Sequence, residues 1–116
     1  MPIFTLVTNV GQDKVSDGFV RELSQKIADV LHKPESYVAV NVKGGESVMF
    51  GGNASIPAGS AVLKSIGGVG GKANNAIAAA LFPVIEKHLG IQGDRLYIEF
   101  FDLPAASIAF NGHTFG

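Results

Sequence analysis

A proline placed directly after the initiator methionine is a latent secondary amine. Removal of Met1 would leave Pro2 as the amino terminus. The segment that follows, Ile3-Phe4-Thr5-Leu6-Val7, is apolar enough to be a buried strand, so the amine would sit at its start. Burial disfavours the protonated form of an amine, and a nearby cation such as Lys33 acts in the same direction. A downward shift of roughly one or two units leaves the amine neutral near pH 7 and able to act as a general base. A second reading stays open, because many chains begin Met-Pro and make no chemical use of the proline.

The other chemical patterns are weaker. Gly68-Val69-Gly70-Gly71-Lys72-Ala73 satisfies a loose G-x-G-x-x-A between a predicted strand and helix. Glu99 lies farther on than the ~20 residues that usually separate such a loop from a ribose-binding acid, and the chain is too short for a doubly wound sheet. A plain strand-to-helix turn is the better reading, and no cofactor is expected. A P-loop is excluded by Ile66 and Ala73 at positions that need glycine and Ser/Thr. His32, His88 and His113 are scattered, with no pair at helical metal-ligand spacing, so no metal site is expected. There is no cysteine, which removes disulfides and thiolate chemistry, and no G-x-S-x-G nucleophile elbow.

The elements that must position these residues follow from periodicity. Pro2 to Asn9 reads as a strand that is apolar on both faces. Ser16 and Asp17 offer an N-cap to a helix carrying Phe19, Leu23, Ile27, Val30 and Leu31 on one side, which stops before Pro34. Glu22 and Lys26 on its polar side are four apart in the favourable order. Tyr37 to Lys43 is a second strand and Ser60 to Ile66 a third. Gly67 to Gly71 is a turn into a helix over Ala73 to His88, in which Pro83 predicts a kink. Leu96 to Asp102 is a fourth strand, again apolar on both faces, and Ser107 to Phe110 a short fifth.

This order is β-α-β followed by β-α-β in a single domain over residues 1–116, an α/β (α+β) chain whose two halves hint at a repeat. Two helices cover one face of a four-stranded mixed sheet, so the other face needs a second subunit. Composition agrees: 47% hydrophobic and only 16% charged residues is apolar for a small domain. With a net charge of −1 and no Lys/Arg run, nucleic acid is not an expected partner. No stretch approaches the ~18 apolar residues of a membrane span, and no signal peptide is visible, so a cytoplasmic product without membrane insertion is expected.

Taken together, the residues resemble the macrophage migration inhibitory factor family of the tautomerase superfamily. The resemblance is carried by Met-Pro-x-Phe with Thr8-Asn9-Val10, Lys33-Pro34 leading into Tyr37-Val38-Ala39-Val40, and Phe50-Gly51-Gly52. Ser65-Ile66-Gly67, Asp94-Arg95-x-Tyr97-Ile98 and Phe110-Asn111-Gly112-x-Thr114-Phe115 complete it. It covers the whole chain, with an insertion near Ala54–Ile56.

The resemblance implies a homotrimer whose three sheets form a central barrel, with a tautomerase site at each subunit interface. Pro2 would move a proton α to a carbonyl in small α-keto acids such as phenylpyruvate or in dopachrome-like compounds. Lys33 would hold the substrate carboxylate and the Ile66 N–H would help orient it. Tyr37 and Tyr97, at least one of them from the neighbouring chain, would line the pocket, with Ile108 and Phe110 as its apolar wall. Each has a plainer reading as helix-end charge, strand former or core. The chain also departs from the family pattern. Glu99 stands where the family's cytokine member has asparagine, and would repel an α-keto acid, select another substrate or pair with Lys33. Phe110 replaces a tryptophan, and Ala58 and Ala61 replace a Cys-x-x-Cys. The competing role that the resemblance brings is a ligand for a cell-surface receptor, secreted by a non-classical route. Gln12 and Gly45 align with the charged pair that the cytokine presents for that contact, which weakens this reading.

Overall fold

The sheet is centred on the first and third strands, in the order β2-β1-β3-β4, in a computed structural model that describes residues 1–116. Strand β1 covers Ile3–Thr8, helix α1 Asp17–Leu31, β2 Ala39–Lys43, β3 Gly59–Ser65, α2 Gly71–Leu89 and β4 Leu96–Asp102. A small hairpin of β5 (Ala109–Phe110) and β6 (His113–Thr114) closes the chain. β1 runs parallel to β2 and β3 parallel to β4, while β1 and β3 are antiparallel. Each half is therefore one β-α-β unit, and the two meet head to tail at the centre of a mixed sheet.

Both helices pack on one face of the sheet. Phe4 and Leu6 of β1, Ala61 and Leu63 of β3 and Leu96 of β4 meet Phe19, Leu23 and Ile27 of α1 and Ile77, Leu81 and Ile85 of α2 in a single core. Fully burying a side chain of this size contributes about 1.5–3 kcal/mol, so this layer dominates the stability of the chain. Helix α1 starts where Ser16 Oγ accepts the Phe19 N–H at 3.0 Å. It ends on His32, a non-glycine residue in the left-handed region at φ 57°. Helix α2 starts after Gly70, whose N–H donates to Asn74 Oδ1 at 2.7 Å, and ends on left-handed Gly90. It continues through Pro83 as one element.

On the face away from the helices a single chain leaves β1 and β4 open: Ile3, Thr5 and Val7 are only half-buried and Tyr97, Glu99 and Phe101 are exposed. Four expectations are corrected. Tyr37 is not in a strand. It closes a 3-10 turn, Glu35–Tyr37, in which its N–H donates to the Pro34 carbonyl, and β2 begins at Ala39. Ile66 lies just beyond β3, and the fifth strand is two residues long, preceded by another 3-10 turn at Ala105–Ser107. Glu22 pairs across to α2, with Lys87 Nζ and His88 Nε2 each 2.8 Å from its carboxylate, rather than along its own helix with Lys26. No helix is long and apolar enough to cross a membrane.

Candidate active site

Pro2 is fully buried at the mouth of β1. Ile3 faces Lys64 in the antiparallel register, and continuing that register brings Pro2 opposite Ser65 and Met1 opposite Ile66. Lys33 reaches the same place from the far side of α1. The left-handed turn at His32 redirects the chain, and Lys33 Nζ then donates to the Ile66 carbonyl at 3.0 Å. The segment after Ile66 is braced as well: Ser65 Oγ donates to the Gly67 carbonyl at 2.7 Å, and the Gly67 N–H donates to Asp102 Oδ1 at 2.9 Å.

These elements enclose a cavity of about 370 Å³ lined by Met1, Lys33, Tyr37, Ile66, Ala105 and Phe115. That volume fits a small organic ligand, and the lining is mostly apolar with one cation. Tyr37 is held by aromatic contacts, edge-on to Phe110 at 5.5 Å and to Phe115 at 6.2 Å between centroids. Phe110 and Phe115 stack on each other at 6.0 Å. Phe110 thus backs the cavity without lining it. Ile108 is half-buried behind the carboxy-terminal hairpin, where its carbonyl accepts the Phe115 N–H.

The electrostatics of this corner act on the amino terminus. The Met1 amine is held below its ordinary range, first by burial and then by the Lys33 ammonium. Both causes disfavour adding a second positive charge beside Lys33. While Met1 is attached, the Pro2 nitrogen is a tertiary amide with no basic lone pair.

Tyr97 and Glu99 are not brought to this cavity within one chain. Tyr97 faces Ser60, five residues along β3 from Ser65, which corresponds to roughly 17 Å of extended strand. Glu99 faces Val62 on the same open face and forms no ion pair, so it does not pair with Lys33 in the chain. Tyr97 lines a different hollow, of about 330 Å³, with Val48, Met49, Phe50 and Ser60. Ala105 and Phe115 line the cavity although sequence reasoning gave them no role. For Phe115 the available signal was its place beside Phe110 in the closing motif. Gln12 and Gly45 do lie close together, where Gln12 Oε1 accepts the Gly44 N–H at 2.8 Å, and neither carries charge. No group of three or more His, Asp or Glu side chains gathers in a way that could hold a metal ion.

A mixed four-stranded sheet built of two β-α-β units, with both helices on one face, defines a class of small α/β domain. The chain belongs to the macrophage migration inhibitory factor (MIF) family, whose pattern matches residues 1–116. It is 47% identical over 116 residues to a macrophage migration inhibitory factor homolog of Brugia malayi, with both chains covered in full. It is also 47% identical over 115 residues to the homolog of Trichuris trichiura, covering 99% of this chain and 100% of that one. The solved structure of the macrophage migration inhibitory factor from Trichinella spiralis superposes with a TM-score of 0.93 at 38% identity, over 97% of this chain and 99% of that one. The homologue from Prochlorococcus marinus gives 0.93 at 35% identity, over 98% and 99%.

Proposed function

We propose that the protein is a tautomerase of small α-keto acids such as phenylpyruvate, with Pro2 as general base once Met1 has been removed. The observation that supports this reading is that Met1 and Lys33 line one small, mostly apolar cavity, with Pro2 buried directly behind Met1, so that loss of Met1 would open the proline nitrogen to it. The freed proline nitrogen would experience the same burial and the same Lys33 charge that depress the Met1 amine. Neutral at pH 7, it takes the proton α to the substrate carbonyl. The electrons of the C–H bond form the carbon–carbon double bond while the carbonyl oxygen gains a proton, so the reaction is an isomerisation with no net redox change. Lys33 binds the carboxylate, the Ile66 N–H helps orient it, and Tyr37 with Phe110 and Ile108 behind it shape the apolar side.

The assembly belongs to the same proposal. A homotrimer would cover the open sheet face and bring Tyr97 and Glu99 of a neighbouring copy to the Pro2 cavity. Membership of the MIF family also brings a second reading, a signalling ligand that leaves the cytoplasm by a non-classical route and engages a cell-surface receptor.

The test is the initial rate of phenylpyruvate keto–enol conversion on protein whose intact mass lacks Met1. A rate well above buffer background is expected. Background turnover by fully processed protein would overturn the tautomerase reading and leave the receptor reading ahead. Sedimentation at micromolar concentration is expected to give a trimer, and a stable monomer would overturn the assembly.

A further inference from the structure

We infer that Arg95 is the positioning residue for Tyr97, acting through Phe50 and the loop that carries it. The inference rests on the proposed place of Tyr97 in the substrate pocket. Tyr97 is 67% exposed within the chain, so little of its own strand environment fixes the ring. Its aromatic neighbour is Phe50, 5.1 Å away between centroids and tilted by 33°. Phe50 belongs to a stretch between β2 and β3 that forms no ladder with the sheet. The stretch turns back on itself through left-handed Gly51 and Gly52, with a local bridge between Phe50 and Asn53.

The start of this stretch is held by backbone bonds from the Gly45 N–H to the Val10 carbonyl at 2.7 Å and from the Glu46 N–H to the Thr8 carbonyl at 3.0 Å, but at Phe50 itself the hydrogen bond that ties the loop toward β4 comes from one side chain. Arg95 Nε donates to the Pro57 carbonyl at 3.0 Å and Nη1 to the Phe50 carbonyl at 3.2 Å. Nη2 donates to the Asn53 and Ile56 carbonyls at 3.0 and 3.1 Å. Its guanidinium carbon also lies 5.6 Å over the Phe50 ring centroid. Asn9 holds only the far side of the loop, through Ala54, Ile56 and Ala58. Arg95 makes no ion pair in the chain, so its donors serve these carbonyls. A planar five-donor fork can gather several carbonyls at once, whereas a lysine ammonium is a flexible point charge. Because Arg95 stands just ahead of β4, it ties the loop to the strand that carries Tyr97.

The test uses Met1-processed protein and the variants Arg95→Lys and Phe50→Leu, each checked for folding by thermal unfolding. Arg95→Lys keeps the charge and is expected to raise KM for phenylpyruvate about tenfold, because the pocket wall is misplaced while Pro2 and Lys33 are untouched. kcat should stay within about twofold. Phe50→Leu should do the same, and the double variant should add nothing further, as expected for residues acting in series. The chain has two tyrosines and no tryptophan, so in a Tyr37→Phe background the tyrosine band of the near-ultraviolet dichroism, at longer wavelength than the phenylalanine fine structure, reports on Tyr97 alone. That signal should fall in Arg95→Lys. An unchanged KM with an intact Tyr97 signal, or additive effects in the double variant, would overturn the inference. If Tyr97→Ala leaves KM unchanged, the pocket reading of Tyr97 fails instead. The dichroism then decides the Arg95–Tyr97 linkage by itself: loss supports it and retention refutes it. Should Arg95→Lys fail to fold, Phe50→Leu carries the same comparison.

Discussion

Lys33 Nζ and the Ile66 carbonyl oxygen are 3.0 Å apart, a bond that ties the end of the first helix to the end of the third strand. It holds the ammonium at the mouth of β1, where it lowers the proton affinity of the amino terminus. Replacing Lys33 with glutamine removes the second of the two causes and leaves burial. The pKa of the amine should rise toward its ordinary value, and the neutral fraction at a given pH should fall. Titration of the amino terminus by NMR checks this on Met1-bearing protein, independently of catalysis. In processed protein the same change should lower kcat/KM for phenylpyruvate about ten- to a hundredfold, the worth of a hydrogen bond to a charged group.

Pro2→Gly should reduce tautomerase turnover to background. A primary amine on a flexible residue replaces a secondary amine locked at the strand entrance. Protein that retains Met1 should be equally silent, because an amide nitrogen accepts no proton at neutral pH. Intact mass and rate measured on the same sample separate the two causes. A Pro2→Gly enzyme active within about twofold of the parent would sink the proline mechanism.

Glu99 carries its charge on the open face, two residues from Tyr97 and without a cationic partner. In the proposed trimer it would repel a substrate carboxylate. Glu99→Gln should therefore lower KM for phenylpyruvate at pH 7 by roughly two- to fivefold, the range set by an exposed charge interaction. The gain should shrink with added salt. A higher KM instead would identify Glu99 as a group that binds substrate.

Glu22 links the helices to each other, and its carboxyl is held below its ordinary range by hydrogen bonds to His88 and then to Lys87. A folded-state pKa below the unfolded value means that the unfolded chain binds more protons in the window between them. The stabilisation is present above the ordinary carboxylate range and is lost as pH falls through the depressed value. Glu22→Gln should lower the urea midpoint at pH 7, and the gap from the parent should close at acid pH.

Ser16→Ala removes the acceptor for the Phe19 N–H at the start of α1. The loss should be about 1 kcal/mol, the usual worth of an N-cap. In a domain of this size that corresponds to a fall of about 4 °C in Tm.

What the sequence made legible was local. Ser16 signals its cap because its hydroxyl can close the first turn, and Pro34 signals a stop because it constrains the residue before it. An apolar run gives β4 the bounds Leu96–Asp102 that the structure has. Tyr37 was misread as strand because its β-propensity masked the turn that Pro34 starts. The same Pro-led 3-10 geometry recurs at Pro104 and Ala105–Ser107. The partners of Glu22 were not legible, since Lys87 lies 65 residues away and only the packing of α1 on α2 brings it near. Phe115 escaped for a similar reason: its contact with Tyr37 exists only after the final hairpin folds back.

Pro2 and Tyr97 sit at opposite ends of the same sheet, and no motion of a single chain that keeps the strand register can bring them together. On the proposed assignment, catalysis becomes a mass-action property. Each working site exists only while copies are associated, so the rate per chain holds constant at high concentration and collapses on dilution through the dissociation constant. A variant silenced at Pro2, mixed with one whose Tyr97 is damaged and allowed to exchange subunits, would then form some sites with both residues intact and recover the parent KM at those sites.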